Sequence, residues 1–420
     1  LIVMDEEQES TYKSESTPRY HARDIAKFRV NYNRAYCLLC SATPSVESYY
    51  MAQSGKYRYH ALHHRYGDAV VPTVQLVDMN NEDLYRGKPM ISMALARAVS
   101  ENIRAGRQSI LLLNRRGYHT YAVCKDCKTV AACPNCSISM TYHAANNRLM
   151  CHYCGHSEPA YVRCKACGGE LTFSGGGTQK AEDQLREAFP EARILRVDTD
   201  TTANKYALEK KLNAFANGEY DIMIGTQMVA KGLDFENVTL VGVISADASF
   251  NLPDFRASER GFQLLTQVAG RAGRGEFSGK VYFQTYNPDY YALASAKSQN
   301  YDEFYATEII AREEFDYPPF SQIVRLVLSS QNNFRAEKSA QEIALRLCTM
   351  VEKFGISERL EILGPTPCVI ERINSMYRFQ IIIKNKMGEK GHQFVSSFLG
   401  KITMPKDIKL AIDVDPLDIL

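Results

Sequence analysis

The sequence predicts an α/β chain. It should hold parallel sheets wound with helices, a cysteine-rich insert, and a compact α+β domain at the end. Three observations carry this reading. Apolar runs of strand length alternate with helical patterns over the first three hundred residues. Four Cys-x-x-Cys pairs interrupt that alternation between Cys124 and Cys167. After Asp316-Tyr317-Pro318-Pro319-Phe320 the pattern changes to a new mixture of strands and helices.

The strands recur at Tyr36–Cys40, Ile110–Asn114, Ile194–Val197, Ile222–Gly225, Leu240–Ile244 and Val281–Gln284. Helical patterns lie at Ser92–Arg104, Ala181–Phe189, Tyr206–Ala216 and Ala257–Ala269. In such doubly wound sheets function sits in the loops that follow strand ends. Linkers are expected at Glu15–Pro18 and Asp78–Pro89. The last hundred residues read as strands at Gln322–Ser329, Leu360–Leu363, Cys368–Arg372, Arg378–Lys384 and Ile408–Val414. Helices are expected there at Phe334–Phe354 and Glu389–Gly400. The domains implied are 1–70, 71–290 with an insert at 122–170, a helical linker at 291–320, and 321–420.

With 45% hydrophobic and 23% charged residues, the composition is that of an ordinary globular protein. No apolar run approaches the ~20 residues of a membrane span, and no secretory signal is visible. The expectation is therefore a cytoplasmic chain without a membrane partner. A net charge of +2 means that any basic surface is local. The chain opens on Leu1-Ile2-Val3-Met4, which reads as a core strand, so a piece of a longer protein is expected.

Nothing points to secretion, so twelve cysteines favour metal over disulfides. The pairs are Cys124/Cys127, Cys133/Cys136, Cys151/Cys154 and Cys164/Cys167. Each Cys-x-x-Cys turn offers two thiolates to one ion, and two turns complete a closed tetrahedral zinc site. Four pairs make two structural sites. Spacing alone allows the pairs to share ions in nested order or in sequential order. Gly155, Gly168 and Gly169 follow second cysteines, where tight turns favour positive φ. Lys125, Lys128, Arg148, Arg163 and Lys165, interleaved with Tyr142, Tyr153 and Tyr161, suit single-stranded nucleic acid or a protein partner. A solvated surface over core tyrosines is the equal competitor.

Four loops carry the remaining chemistry. Asp5-Glu6-Glu7-Gln8 ends a hydrophobic strand, where a carboxylate can hold the Mg²⁺ of a nucleotide and its neighbour can orient water. Ser41-Ala42-Thr43-Pro44-Ser45 offers small hydroxyls, with Ser45 set to cap a helix. Gly225-Thr226-Gln227-Met228-Val229-Ala230-Lys231-Gly232-Leu233-Asp234-Phe235 offers hydroxyl, amide and backbone NH groups for a phosphodiester backbone. Gln267-Val268-Ala269-Gly270-Arg271-Ala272-Gly273-Arg274 places two arginines three apart, able to meet phosphate oxygens across a cleft. No GxxxxGK[ST] phosphate loop occurs anywhere in the chain.

The series DEEQ, SATPS, GTQMVAKGLDF and QVAGRAGR resembles motifs II, III, V and VI of superfamily 2 helicases. With the eight-cysteine insert and the runs at Arg19–Asp24, Leu113–Tyr118 and Phe255–Arg260, the chain resembles the PriA family of primosomal replication-restart helicases. That resemblance implies RecA-like helicase lobes, a two-zinc insert with nested pairing, and a C-terminal domain that binds branched DNA and partners. It implies that Asp5 and Glu6 serve Mg²⁺ and water, and that Arg271 and Arg274 face ATP. Gln8, Thr43, Gly232, Asp234 and Gln267 would couple the nucleotide to motion. Tyr12, Arg19, Tyr20, His21, Arg23, Thr226 and Gln227 would meet DNA. The expected partners are single-stranded and forked DNA, primosome proteins and single-stranded-DNA-binding protein. The family's phosphate loop precedes motif II, so this chain alone should bind ATP poorly and be inactive. Gln8 stands where the family usually has His; Gly261 and Cys40 also depart from its pattern.

The reading that follows is an ATP-dependent 3′-to-5′ DNA helicase that recognises stalled forks and starts primosome assembly. A fork-binding scaffold with a degenerate motor is the alternative. A zinc-ribbon topoisomerase or polymerase subunit suits the cysteines but not the arginine pair.

Overall fold

The computed structural model describes residues 1–62, 72–87, 90–113, 121–143, 146–174, 178–197, 205–226, 235–272 and 278–419. The chain begins with a small βαβ unit. Strand β1 (Ile2–Met4) leads into helix α1 (Ala22–Asn33) and pairs in parallel with β2 (Cys37–Leu39). Helix α2 (Val46–Gln53) follows, its amide at Ser48 capped by the Ser45 hydroxyl.

The central domain builds on β3 (Thr73–Asp78), α3 (Met93–Arg104) and β4 (Gln108–Leu112). The cysteine-rich insert then contributes β5 (Tyr121–Cys124), β6 (Thr141–His143), β7 (Arg148–Met150), β8 (Ser157–Pro159) and β9 (Leu171–Ser174). The domain resumes with α4 (Thr178–Ala188), β10 (Ile194–Val197), α5 (Lys205–Ala216), β11 (Ile222–Gly225) and β12 (Val238–Val243). It closes with α6 (Asp247–Phe250), α7 (Ala257–Ala269), β13 (Lys280–Thr285), α8 (Tyr291–Ser298) and α9 (Tyr301–Glu314).

The described strands of this sheet run in the order β10-β11-β4-β12-β13-β3, every pair parallel. Two-residue periodicity divides each strand between two cores. Ile110 and Leu112 of β4 face the layer that holds α7 and α8, whereas Leu111 and Leu113 face α3 and α4. The stretch 291–320, expected as a linker, puts Ala292, Leu293, Ala296 and Phe304 into the first of these cores. Gly261 lets α7 close on α6: a Cβ there would stand 2.3 Å from the Phe250 ring.

The C-terminal domain comprises β14 (Gln322–Ser330), α10 (Asn333–Lys353), β15 (Leu360–Ile373), β16 (Met376–Asn385), α11 (Glu389–Leu399) and β17 (Lys409–Val414). Its antiparallel sheet has the order β15-β16-β14-β17. Val324, Leu326 and Leu328 face α10 and α11. Ile323 and Ile382, on the opposite face, pack against the cysteine-rich insert. The two strands expected at 360–363 and 368–372 are one bulged strand, with Gly364 at φ 92° where the register shifts.

Candidate metal centres and inter-lobe cleft

The insert folds as four similar knuckles. The amides of Cys124, Cys133, Cys151 and Cys164 donate to the carbonyls of Thr129, Ile138, His156 and Gly169, each five residues on, at 2.7–3.0 Å. The residue four beyond each of these cysteines has positive φ: Lys128 at 58°, Ser137 at 53°, Gly155 at 79° and Gly168 at 77°. Gly169, expected to need positive φ, is required for space instead. A Cβ there would meet the Asp126 carboxylate at 2.1 Å and Cys124 Sγ at 3.0 Å.

Pairing of β5 with β9, and of β6 with β7, brings the knuckles together in nested order. Cys124, Cys127, Cys164 and Cys167 form one cluster; Cys133, Cys136, Cys151 and Cys154 form the other. Within each cluster all four sulfurs lie within 4.8 Å of one another. The sulfurs of Cys124 and Cys167 are 3.5 Å apart, and those of Cys133 and Cys154 are 3.6 Å apart. A tetrahedral zinc with bonds of ~2.3 Å needs sulfur edges of roughly 3.8 Å. The donor sets therefore fit two structural zinc ions.

The two sites differ in cover. Cys127 and Cys167 are exposed, whereas Cys133, Cys136 and Cys151 are buried. The C-terminal domain supplies that cover. Thr366 Oγ1 and Gln380 Nε2 each donate to the His152 carbonyl at 2.7 Å, and the Tyr317 hydroxyl donates to the Cys136 carbonyl at 2.9 Å. On the module surface, Lys125 pairs with Glu170 at 2.7 Å and Lys165 with Glu158 at 2.6 Å. Tyr153 is buried, so it offers no stacking face.

The acidic run ends β1. Asp5 is exposed, and Glu6 sits at φ 48°, a strained setting for a non-glycine residue. Gln8 Nε2 donates to Glu6 Oε2 at 2.6 Å, and Ser41 Oγ donates to Gln8 Oε1 at 2.6 Å. The Thr43 amide donates to Ser41 Oγ at 2.9 Å. Gln8 thus links the acidic run to the loop after β2. Glu7, assigned no role from sequence, is buried beneath them. Its carboxylate accepts from the Ser45 amide at 2.7 Å, the Ser48 hydroxyl at 3.0 Å and Arg23 at 2.9 Å.

Helix α7 contacts this unit directly. The Val46 amide donates to Glu259 Oε1 at 3.0 Å. Gln263 Nε2 reaches the Thr43 carbonyl at 3.4 Å, and Gln267 Nε2 reaches Glu9 at 3.5 Å. Arg271 lies just beyond the C-terminus of α7, its amide bonded to the Val268 carbonyl at 3.1 Å. Gln227, Gly232, Asp234 and Arg274 lie outside the described residues; Thr226 is half-buried directly after β11.

A buried charge cluster, missed by sequence reading, lies where α2, α7 and α9 meet. Arg312 of α9 donates to Glu308 at 2.6 Å, to Glu259 at 2.8 Å and to the Pro318 carbonyl at 3.0 Å. Arg256 donates to Glu47 of α2 at 2.9 Å and to the Pro416 carbonyl at 3.1 Å. Burial alone would raise the Glu47 carboxyl, but Arg256, Arg312 and Arg23 outweigh it and hold it at about 2. The signal available in sequence was Arg256 and Glu259 within the Phe255–Arg260 run.

Of the loop 12–23, Tyr20 is exposed, at 49%. The Tyr12 hydroxyl donates to the Asp5 carbonyl at 2.8 Å. Arg23 is committed to Glu7, Ser45 and Ser48. His21 is buried and caps α1, its Nδ1 accepting from the Arg23 amide at 3.1 Å. Burial first, then Arg23, lowers its pKa to about 4. Arg19 pairs with Asp413 of β17 at 3.1 Å.

Among the described residues, an open parallel α/β domain is thus interrupted by a two-site cysteine ribbon and packs against a small N-terminal βαβ unit. A family model described as the helicase conserved C-terminal domain matches residues 171–276. The model for the PriA DNA helicase Cys-rich region matches residues 133–159, and that for the primosomal protein N C-terminal domain matches 313–417. The replication restart protein PriA of Bacillus subtilis is 44% identical over 99% of this chain and 52% of its own length. That of Synechocystis is 40% identical over 100% of this chain and 51% of its own length. That of Borreliella burgdorferi is 34% identical, over 100% of this chain and 62% of its own length. The chain belongs to the PriA family of replication restart proteins, and it spans about half the length of the curated relatives it matches. RecG bound to a three-way DNA junction overlaps it with a TM-score of 0.34 at 12% identity, over 71% of this chain and 29% of that one. Among the described residues no helix is long and apolar enough to cross a membrane.

Proposed function

We propose that this chain is the helicase-lobe, zinc and C-terminal part of an ATP-dependent 3′-to-5′ DNA helicase. The whole protein recognises stalled or branched forks and initiates primosome assembly in the cytoplasm. The observation that carries the reading is the relay Glu6–Gln8–Ser41–Thr43, which ends on a residue that α7 contacts directly.

Asp5 would hold the magnesium of ATP, which supplies charge neutralisation at the phosphates. Glu6 orients the attacking water. Gln8 reports the state of Glu6 to the loop at Thr43, and that loop moves against α7 and Gln267. Arg271 and Arg274 stabilise charge on the transferred phosphate from the second lobe, with Gly232 and Asp234 beside them. Tyr12 and Tyr20 follow Asp5 closely in the chain, so a strand of DNA held by that loop is one step from the catalytic acids, while buried His21 anchors the loop as the cap of α1. Arg19, Thr226 and Gln227 complete the DNA path, while Arg23 fixes the loop to Glu7, Ser45 and Ser48. Each cycle of lobe closure advances the motor along one strand, and the two-zinc module wedges the duplex. Primosome proteins and single-stranded-DNA-binding protein are the expected partners.

An intact relay through Gln8 favours a working motor over a degenerate scaffold. The test is fork-stimulated ATP hydrolysis by the full-length parent beside its Glu6→Gln variant. Turnover by the parent alone supports the motor. No turnover by either, with tight fork binding, makes the protein a restart scaffold.

A further inference from the structure

The two cysteine clusters share one knuckle design but stand in different surroundings. Around the inner cluster, Phe255, Tyr317, Ile323, Ile382 and Ile419 close over Cys133, Cys136 and Cys151. Its fourth member, Cys154, is half-buried. Around the outer cluster, among the described residues, the apolar cover is Leu171 and Tyr161 of the insert itself. Cys127 and Cys167 of that cluster are exposed, and Cys124 and Cys164 are buried.

Each exposed sulfur of the outer cluster lies close to a buried one of the opposite knuckle. Cys167 Sγ is 3.5 Å from Cys124 Sγ, and Cys127 Sγ is 3.6 Å from Cys164 Sγ. A disulfide has ~2.05 Å between its sulfurs, so either pair closes with a shift of roughly 1.5 Å. The pairing of Cys124 with Leu171, where β5 meets β9, holds the two knuckles in register for that shift. A metal-bound thiolate has already lost its proton, and the thiolate is the nucleophilic form of cysteine. Susceptibility to oxidants then follows exposure.

We propose that the outer cluster is an oxidation site, with Cys127 and Cys167 as attacking sulfurs and Cys164 and Cys124 as their resolving partners. The oxidant is hydrogen peroxide. The Cys127 thiolate attacks one peroxide oxygen and the O–O bond breaks. The other oxygen leaves as hydroxide and takes a proton to become water, and Cys127 is left as a sulfenic acid. The Cys164 thiolate attacks that sulfur, the S–O bond breaks, and a second hydroxide is protonated to water. Two sulfurs have given two electrons to one peroxide, and an S–S bond joins them. Cys167 and Cys124 react in the same way with a second peroxide. Thiolates are the ligands that zinc requires, so their loss frees the ion. Both disulfides cross between knuckles and keep β5 tied to β9, so a thiol reductant with zinc restores the site. The inner cluster, beneath the C-terminal domain, keeps its ligands throughout.

The experiment doses the zinc-loaded full-length parent with hydrogen peroxide in steps. Freed zinc is read with a pyridylazo-resorcinol dye. At each step the remaining thiols are blocked with N-ethylmaleimide, and disulfide-linked peptides are identified by mass spectrometry. Half of the bound zinc should leave in a first phase. Peptides linking Cys127 to Cys164 and Cys124 to Cys167 should appear in that phase, and dithiothreitol with added zinc should reverse it. Thr366→Ala combined with Gln380→Ala removes two bonds that hold the C-terminal domain on the inner knuckle. That double variant should bring the second phase forward and leave the first unchanged. Loss of the inner zinc first, or loss of both together in the parent, overturns the proposal. So does a first phase that leaves Cys127 and Cys167 as sulfinic acids without either cross-link, because the buried sulfurs would then not be resolving partners. A second phase unmoved in the double variant overturns the assignment of the difference to cover.

Discussion

Replacing Arg312 by Met tests whether the buried cluster holds the lobes together. The substitution keeps an unbranched side chain and removes the guanidinium. Glu259 and Glu308, whose side chains are each 4% exposed, lose their contacts at 2.8 and 2.6 Å. Breaking a buried pair from one side costs about 3–5 kcal/mol, because the remaining charge stays desolvated. At a urea slope near 3 kcal/mol per molar, the midpoint falls by roughly 1–2 M. Circular dichroism at the helix band reads it.

Two further measurements separate charge from packing. Adding Glu259→Gln to Arg312→Met removes one stranded carboxylate and should recover part of the loss. The deficit should also depend on pH. Burial, followed by Glu47, already raises Glu259, and loss of Arg312 raises it further. A carboxyl with a raised folded pKa is tolerated while protonated and destabilises as pH climbs above its unfolded value of ~4.3. The single variant should therefore be closer to the parent at pH 5 than at pH 8. A midpoint shift under about 0.3 M, or a double variant no better than the single, would refute the cluster as a structural node.

Three other outcomes follow from the geometry. A chelator should remove zinc from the exposed cluster of Cys127 and Cys167 before the covered one. Cys136→Ser should loosen the C-terminal domain to protease whereas Cys127→Ser should not, and release in the opposite order would contradict the packing. Gln8→Ala in the full-length parent removes both 2.6 Å bonds of the relay and should lower fork-stimulated kcat by roughly tenfold, about 1.4 kcal/mol. An unchanged kcat would dissociate Gln8 from coupling. His21 has a folded pKa of about 4 against about 6.5 unfolded, so its share of stability is complete above pH 6.5 and is lost as pH falls towards 4. That share is on the order of 3 kcal/mol, and His21→Asn, which keeps a capping side chain, should flatten the acid limb of the stability curve.

Much of the fold was legible because the inner strands are short, continuous apolar runs flanked by helices of the right period. The strand Thr73–Asp78 was not. It is an edge strand with alternating, partly exposed residues, and it borders a stretch that reads as a linker. Gly364-Pro365 made one long strand look like two, because a bulge and a break look alike in sequence. The eight cysteines announced metal, yet their pairing was open. Sheet order settles it, since β9 returns to β5 and carries Cys164 and Cys167 back to Cys124 and Cys127. The buried cluster was hidden because its members are far apart in the chain. Glu47 and Arg312 are separated by the whole central domain, and nothing local marks α9 as buried.

Those long-range contacts converge on the C-terminal domain, which touches each working part at a different point. Its Gln380 ties the His152 carbonyl beside the inner metal cluster to Arg325 of β14, using both ends of one amide. Its last residues accept Arg256 and Arg260 from α7 through the carbonyls of Pro416 and Leu417. Its Asp413 holds Lys13 and Arg19 of the loop that follows Asp5. A rigid sheet with three such attachments cannot shift at one without straining the others, because packed interiors transmit displacement rather than absorb it. Metal at the inner cluster would lock the knuckle that carries the His152 carbonyl, and so stiffen one of the three attachments.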